Sequence, residues 1–143
     1  MVGIKDIGRI EDTETYDGAV TALLKLDGSG ILLFYRQSDG EHRDRSARVV
    51  MRQSSNLGET WTEPTVVHDV EDRDTGEPSV VYDSESGRIV LFDHAMNIVE
   101  TAEYEHPVVQ STEAYRLEST DGGKTWDNPV RITDNLIADN PWP

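Results

Sequence analysis

The side chains best suited to chemistry are concentrated in four polar stretches of the chain. These stretches hold all four histidines and many of the arginines and carboxylates; they are Arg36–Ser46, His68–Glu77, His94–Ser111 and the tail after Thr133. Imidazole and carboxyl groups transfer protons, and the planar guanidinium of arginine binds carboxylates or hydroxyls through several donors. The stretches are therefore either a binding or catalytic site, or simply solvated connections.

Motifs for the common cofactors and metals are absent from the sequence. It has no phosphate-binding loop, dinucleotide fingerprint, His-Glu-x-x-His zinc helix or EF-hand loop. Asp72 and Asp74 are too weak a signal for a calcium site. The chain has no cysteine, which excludes disulfides and thiolate zinc sites. We expect neither a cofactor nor a bound metal.

The charge is strongly acidic. The net charge is -15, from 28 acidic and 13 basic residues. This balance argues against nucleic acid and anionic membranes as partners, because both attract lysine and arginine. Only three of the basic residues are lysines, a composition that suits either a salt-loving organism or an ordinary acidic protein kept soluble by its charge.

No segment has the pattern of a membrane span or of a leader. No apolar run approaches the roughly 20 residues that cross a bilayer. The start at Met1–Asp6 lacks the apolar segment of a signal peptide. We expect a cytoplasmic protein, or one secreted after processing.

Short apolar runs between Gly, Asp, Asn and Pro predict strands, and these strands come in two similar sets. The first set is Ala19–Leu24, Ile31–Tyr35, Ala47–Arg52 and Pro64–Val67. The second is Pro78–Tyr82, Ile89–Phe92, Glu113–Leu117 and Pro129–Ile132. Repeated four-strand units are typical of a β-propeller. We predict one all-β segment over 1–143, with blade one at about 16–68 and blade two at about 77–133.

Each set has a distinctive octamer before its fourth strand. The second octamer, STDGGKTW, matches the Asp-box pattern S-x-D-x-G-x-T-W in full, and the first, SSNLGETW, departs only at Asn56. The pattern positions are Ser54, Asn56, Gly58, Thr60 and Trp61 in the first box and Ser119, Asp121, Gly123, Thr125 and Trp126 in the second. Over roughly residues 16–133 the chain resembles the sialidase (neuraminidase) superfamily of BNR-repeat proteins, which implies a six-bladed propeller.

The physical role of such a box is structural. A short Asp or Asn side chain accepts hydrogen bonds from nearby backbone N–H groups and holds a tight turn. Glycine permits a positive φ, and the tryptophan buries a large ring. In the family the boxes lie away from the active site. We expect Trp61 and Trp126 to be buried at equivalent positions.

Alternating strand direction assigns each connection to one of two faces. Turns after the first and third strands of a blade, including both boxes, share the box face. Connections after the second and fourth strands share the opposite loop face. All four polar stretches fall on the loop face, and their length and shared position favour a site there.

The resemblance also implies roles for residues on the loop face. Arg36 would bind a ligand carboxylate or hydroxyls, and Asp44 would be the general acid. The same mouth would be lined by His42, Arg73 and Asp74. The alternative for Arg36 and Arg73 is an ion pair with neighbouring acids.

One departure from the family changes the expected ligand. Sialidases commonly open with an Arg-Ile-Pro motif whose arginine binds the carboxylate of sialic acid, but here Tyr16-Asp17-Gly18-Ala19 stands in that place. A negative Asp17 would repel that carboxylate. The other arginines and the tyrosine nucleophile belong to later blades. We therefore expect Asp17 to contact a neutral sugar.

Three functions follow as hypotheses. The first is a glycoside hydrolase of the sialidase superfamily, or its remnant, acting on or binding carbohydrate. The second is a non-catalytic carbohydrate-binding propeller, and the third is a structural or interaction module.

Two blades do not close a ring, which takes roughly 4–8. The outer faces would then carry Val20, Leu32, Phe34, Val90 and Phe92, at least in part. Either the chain is part of a longer propeller, or copies of it assemble as a homo-oligomer. Three copies would supply six blades.

Overall fold

The computed structural model describes residues 16–40, 43–103 and 107–136. These ranges form eight strands and one short helix: β1 Tyr16–Lys25, β2 Ile31–Ser38, β3 Arg48–Ser54, β4 Thr65–His68, β5 Asp74–Asp83, β6 Arg88–Val99, β7 Val108–Ser119, β8 Val130–Arg131 and α1 Thr133–Leu136. Among the described residues, no helix has the length and apolar character needed to cross a bilayer.

The strands form two four-stranded antiparallel sheets. Blade one has the order β1-β2-β3-β4 and blade two the order β5-β6-β7-β8. Each strand pairs with its sequence neighbour, so short turns suffice to connect the strands within a blade. The all-β prediction of two four-stranded blades of a partial propeller is confirmed.

Blade two has longer strands than the sequence pattern predicted. β6 continues to Val99 and β7 begins at Val108, so most of the predicted loop His94–Ser111 is a paired hairpin. β5 likewise starts inside the predicted loop His68–Glu77. Both loop predictions were wrong for the same reason: ladder hydrogen bonds use the backbone, so a strand can continue through polar residues.

The core lies between the two blades. One face of blade one packs on one face of blade two through residues that are all nearly or fully buried: Leu32, Phe34, Val49 and Met51 from blade one, and Ile89, Leu91 and Leu117 from blade two. The Trp126 ring meets Phe34 edge-on at a centroid distance of 5.8 Å. Leu32 and Phe34 were expected on an outer face; this was wrong, because blade two covers them.

The box tryptophans lie at equivalent positions but are only half-buried. Trp126 packs against the core between the blades. Trp61 packs on the opposite face of blade one, against Leu33, Tyr35 and Val50. Each tryptophan therefore lies on the same side of its own blade, and the expected full burial was wrong.

The first box is held by side-chain to backbone hydrogen bonds. Asn56 Oδ1 accepts from Thr60 N–H at 2.9 Å, and Ser54 Oγ accepts from Gly58 N–H at 2.8 Å. The Asn56 side-chain amide also donates to Thr60 Oγ1 at 3.0 Å. These bonds satisfy the polar groups of the turn without a charged residue.

The second box repeats these contacts with a carboxylate. Asp121 Oδ1 accepts from Thr125 N–H at 3.0 Å, and Asp121 Oδ2 accepts from the Thr125 hydroxyl at 2.6 Å. The Thr125 hydroxyl and then its N–H lower the pKa of Asp121 to about 2. Gly123, at φ 86°, lies so close to blade one that an added Cβ would be 3.0 Å from Leu32 Cδ1.

Candidate functional site

The loop between β2 and β3 is shaped by its own polar groups. Ser46 N–H donates to Asp44 Oδ1 at 2.7 Å, and Ser46 Oγ accepts from Asp39 N–H at 2.8 Å. The Asp44 carbonyl accepts from Ala47 N–H at 3.1 Å. These bonds form a local turn that fixes the Asp44 side chain at the loop face.

A cavity of about 460 Å³ opens between this loop and the end of the β6–β7 hairpin. Its lining comes from both blades: Arg43, Asp44 and Arg45 on one side, and Ile98, Glu100 and Pro107 on the other. The cavity therefore exists only because the two blades are docked. Two guanidinium groups, two carboxyl groups and two apolar side chains meet there.

Arg43 and Arg45 tie the two walls together. Arg43 Nη1 donates to the carbonyl of Pro107 at 2.6 Å, and Arg45 Nη2 donates to the carbonyl of Ile98 at 2.7 Å. Arg45 Nη1 also lies 3.3 Å from Asp72 Oδ1. Arg43 has φ 59°, a left-handed conformation that a non-glycine residue adopts only when its surroundings hold it. Each arginine therefore uses one of its N–H donors to bind the opposite wall of the cavity.

Asp44 is set up as an ionised acceptor. A hydrogen bond from the Ser46 side chain holds the pKa of Asp44 below its ordinary value, against a weaker opposing effect of burial. The Ser46 N–H and the charge of Arg36 lower this pKa further. Gly40 approaches so closely that a Cβ there would lie 1.8 Å from Asp44 Oδ2. A side chain at position 40 would displace this carboxylate.

Arg36 and Asp74 lie beneath the loop and pair with each other. Arg36 Nε donates to Asp74 Oδ1 at 2.8 Å, and both side chains are almost fully buried. Arg36 Nη1 donates to Ser38 Oγ at 3.1 Å, and Arg36 Nη2 is buried with no hydrogen-bond partner among the residues that the structure describes. The stem of Arg36 lies against Gly76, where a Cβ would be 2.9 Å from Arg36 Cδ. Neither residue lines the cavity, so the pair joins blade one to blade two.

A second buried polar pair lies in the same part of the interface. His68 Nδ1 is 2.6 Å from Asp93 Oδ2, and the two side chains are 3% and 0% exposed. Burial raises the pKa of Asp93, although the hydrogen bond and charge of His68 act in the opposite direction. The Tyr115 ring lies 4.8 Å from the His68 ring. Both side chains are therefore shielded from solvent within the interface between the blades.

Tyr115 itself is a neutral hydrogen-bond donor. Its hydroxyl donates to Glu113 Oε2 at 2.9 Å. Burial and the hydrogen bond to Glu113 raise the pKa of Tyr115. A tyrosine with a raised pKa is a poor nucleophile near neutral pH.

The other residues predicted for the site are spread around the loop face. His42 lies outside the described residues. Asp17 pairs through its backbone with Gln37, and its side chain is likewise outside the described part. Arg73 is half-buried next to Asp74, where its charge acts on Tyr115. Of the residues predicted for the site, only Asp44, the predicted general acid, is among the described residues that line the cavity, and the roles assigned from the family resemblance remain predictions.

Glu100, Ile98 and Pro107 were not singled out from the sequence. They belong to the stretch predicted as a loop, and only the hairpin register places its end opposite Asp44. Arg43 and Arg45 flank the predicted residue Asp44 in the sequence, and this proximity could have indicated that they belong to the same site. Within the described residues, no group of three or more His, Cys, Asp or Glu side chains is arranged to hold a metal ion.

Comparison with known proteins agrees with the fold. Residues 30–141 match the family described as BNR repeat-like domain. No curated protein matches. The solved structure of the Hadza microbial sialidase Hz136 superposes with a TM-score of 0.65 at 17% identity, covering 82% of this chain and 26% of that one. A protein of unknown function from Dyadobacter fermentans gives 0.60 at 19% identity, covering 80% and 38%.

Both solved relatives are much longer than this chain, which spans 26% and 38% of their lengths. At such low identity the superpositions establish the fold alone. The family match covers most of the chain and includes both box turns. The chain therefore belongs to the BNR repeat-like domain family.

Proposed function

We propose that the protein binds carbohydrate in the cavity between the β2–β3 loop and the β6–β7 hairpin. The observation that carries the proposal is the lining of this cavity, with Asp44, Glu100 and two arginines around a space of about 460 Å³. Sugar hydroxyls both donate and accept, so adjacent carboxylates and guanidinium groups are suitable partners. The apolar side chains of Ile98 and Pro107 suit the C–H faces of a sugar ring.

A neutral sugar is the favoured ligand. Two carboxylates line the cavity, and each arginine already donates to a backbone carbonyl across it. An acidic sugar would therefore meet negative charge and only partly available donors. Asp17, in the place of the family's first arginine, adds to this preference.

Hydrolysis is the second candidate, because two carboxyl groups share one cavity. Glycosidases use such a pair, one of them protonated to donate to the leaving group. The lowered pKa of Asp44 weighs against that protonated role. Binding without turnover is therefore the better-supported function, and Asp44 would accept hydrogen bonds from hydroxyl groups.

The test is a titration of isotopically labelled protein with galactose, mannose and N-acetylneuraminic acid, followed by NMR. Neutral sugars should shift signals of Arg43–Arg45 and Ile98–Glu100. The Asp44→Asn and Glu100→Gln variants should each bind about tenfold more weakly, equivalent to about 1.4 kcal/mol. The control is Glu59→Gln, which changes an exposed carboxyl in the first box turn. Shifts confined to the box face, or tighter binding of N-acetylneuraminic acid, would contradict the proposal.

Hydrolysis is tested on the same proteins with chromogenic glycosides of the sugars that bind. Turnover by the wild type that disappears in Asp44→Asn and Glu100→Gln, but persists in Glu59→Gln, would replace binding by catalysis as the function. Equal background rates in all four proteins would support binding alone.

A further inference from the structure

The charges around the loop-face cavity do not balance. Its lining has the guanidinium groups of Arg43 and Arg45 and the carboxyl groups of Asp44 and Glu100. Asp72, which lies outside this lining, has its Oδ1 3.3 Å from Arg45 Nη1 and so offsets the charge of Arg45. One guanidinium group, that of Arg43, then faces two carboxylates, which leaves the cavity with a local excess of one negative charge.

The neighbouring buried charges are already paired, but the two carboxylates of the cavity are not. Arg36, whose charge acts on Asp44, is paired with Asp74 at 2.8 Å. By contrast, neither Asp44 nor Glu100 forms an ion pair with any residue that the structure describes. The Asp44 side chain accepts from Ser46 N–H, and Glu100 is exposed directly after β6. Both carboxylates therefore keep acceptor sites for a donor inside the cavity.

Arg43 is held by the opposite wall of the cavity rather than by the two carboxylates. Its Nη1 donates to the carbonyl of Pro107 at 2.6 Å. A ligand that supplies a cation to Asp44 and Glu100 therefore does not have to break an ion pair between described residues. The net charge of -15 on the whole chain adds a longer-range attraction for such a ligand.

A single ammonium group matches this excess better than a metal ion does. One positive charge neutralises the excess, whereas a divalent ion would leave a positive charge next to Arg43 and Arg45. Calcium also takes about 6–8 oxygen ligands, and the described lining offers two carboxyl groups. The apolar side chains of Ile98 and Pro107 add a surface for the C–H face of a sugar ring. The cavity thus combines contacts for an ammonium group with contacts for a ring.

We propose that the preferred ligand of this cavity is an amino sugar with a free, positively charged amino group, bound by the carboxylates of Asp44 and Glu100. This inference rests on the proposed carbohydrate binding and extends it. A neutral sugar avoids the repulsion that an acidic sugar meets, and a cationic sugar gains attraction as well. Hydrogen bonds from an ammonium group to a carboxylate are roughly twice as strong as those between neutral groups.

The first experiment is an NMR titration of the labelled full chain with glucosamine, glucose and N-acetylglucosamine at pH 6 and low salt. Glucose has a hydroxyl where glucosamine has its ammonium group, and N-acetylglucosamine keeps the nitrogen without the charge. Glucosamine should bind about tenfold more tightly than either neutral sugar, with shifts at Arg43–Arg45 and Ile98–Glu100. Equal binding of glucosamine and glucose overturns this inference but leaves the proposed function standing, whereas no binding of any sugar overturns both.

The local charge is tested with the ratio of the glucose Kd to the glucosamine Kd, in which a general loss of binding cancels. Glu100→Gln removes the excess charge, so this ratio should fall from about ten to near one. Asp72→Asn leaves the lining intact and suits the left-handed φ of 60° at that position, which asparagine tolerates. Because Asp72 is exposed and screened by solvent, this variant should lower the ratio only about threefold.

Two controls separate the proposed site from weaker explanations. Glu59→Gln removes the same charge from the exposed first box turn, and it should keep the wild-type ratio. An equal fall of the ratio in Glu59→Gln and Glu100→Gln would assign the preference to the net charge of the chain and overturn the inference. Ethanolamine carries an ammonium group without a ring and should bind at least about tenfold more weakly than glucosamine. Equal affinity for ethanolamine would overturn the assignment of a sugar as the ligand.

Discussion

The interface between the blades has two ends of opposite character. At the box end, Leu32, Phe34 and Leu91 pack without polar partners, and Trp126 closes the cluster. At the loop end, two buried polar pairs join the blades: Arg36 with Asp74, and His68 with Asp93. The neighbouring residues of one sheet thus change from apolar packing to hydrogen-bonded polar pairs over a short distance along the strands.

This difference suggests that the two ends have different roles: the apolar end holds the blades together, and the polar end fixes their relative position. Apolar contacts are non-directional and stabilise the docked blades over a range of small shifts. Hydrogen-bonded pairs require a particular distance and angle, so they select one relative position of the blades. The cavity lies at the loop end, where its two walls come from different blades. The directional hydrogen bonds therefore lie at the loop end, where the two cavity walls must be aligned with each other.

The largest expected effect is at the box end. Phe34→Ala should lower the free energy of unfolding by about 3–5 kcal/mol, because it removes a fully buried ring and leaves a cavity. Urea unfolding of wild type and variant measures this difference. Leu57→Ala, at an exposed residue, is the control and should cost under about 0.5 kcal/mol. A loss below about 1 kcal/mol in Phe34→Ala would mean that the blades are not docked through this cluster.

At the loop end, removing one partner should be costly and removing both should not. His68→Leu leaves Asp93 buried without its partner, with an expected loss of about 3 kcal/mol. This is at the low end for buried pairs, because Asp93 has a raised pKa and can take up a proton. The double variant His68→Leu, Asp93→Leu should recover most of the loss.

The double-mutant cycle for this pair is the sharpest test of the contrast between the two ends. Additive losses for His68→Leu and Asp93→Leu would show that the loop end behaves like ordinary packing. In that case the proposed difference in character between the ends would be lost.

A smaller loss of stability is expected for the box tryptophans, and the two can be compared because the same substitution is made on different faces. Trp126→Ala should cost about 2–3 kcal/mol, less than for a fully buried ring, because the side chain is only half-buried. Trp61→Ala affects the other face of blade one and should leave the docking of the blades unchanged. Near-ultraviolet dichroism and urea midpoints report both effects. Equal loss of docking in the two variants would contradict the assignment of Trp126 alone to the interface.

The smallest expected effect concerns Asp121, a titrating group of the second box. Its pKa is lowered to about 2, so its carboxylate stabilises the fold above its ordinary pKa of 3.8, and this contribution is lost as the pH falls through about 2. Asp121→Asn should therefore have a lower urea midpoint than wild type at pH 6, and the difference should shrink below pH 4. A pH-independent difference would show that the charge plays no part in holding the turn.

The sequence was most informative where structure is local. Each box occupies eight consecutive residues, so its turn, its glycine and its tryptophan could all be predicted. Strand order followed, because every strand pairs with its sequence neighbour. The Arg36–Asp74 and His68–Asp93 pairs join positions 38 and 25 residues apart in different sheets, and no spacing rule brings these together. The same holds for the cavity, whose second wall depends on the register of β6 and β7.

The two boxes also differ in their susceptibility to deamidation, because the first contains Asn56 where the second contains Asp121. Asparagine deamidates most readily when the backbone nitrogen of the next residue attacks its side-chain carbonyl and releases ammonia. In the first box that nitrogen, on Leu57, donates to the carbonyl of Ser29 at 3.1 Å, and this bond withholds it from the attack. Direct hydrolysis of Asn56 would produce aspartate, which the second box shows to be compatible with the same turn. Asn56 is thus protected from deamidation by this hydrogen bond, and its conversion to aspartate would still be compatible with the turn. The first box turn should therefore keep its conformation during prolonged storage.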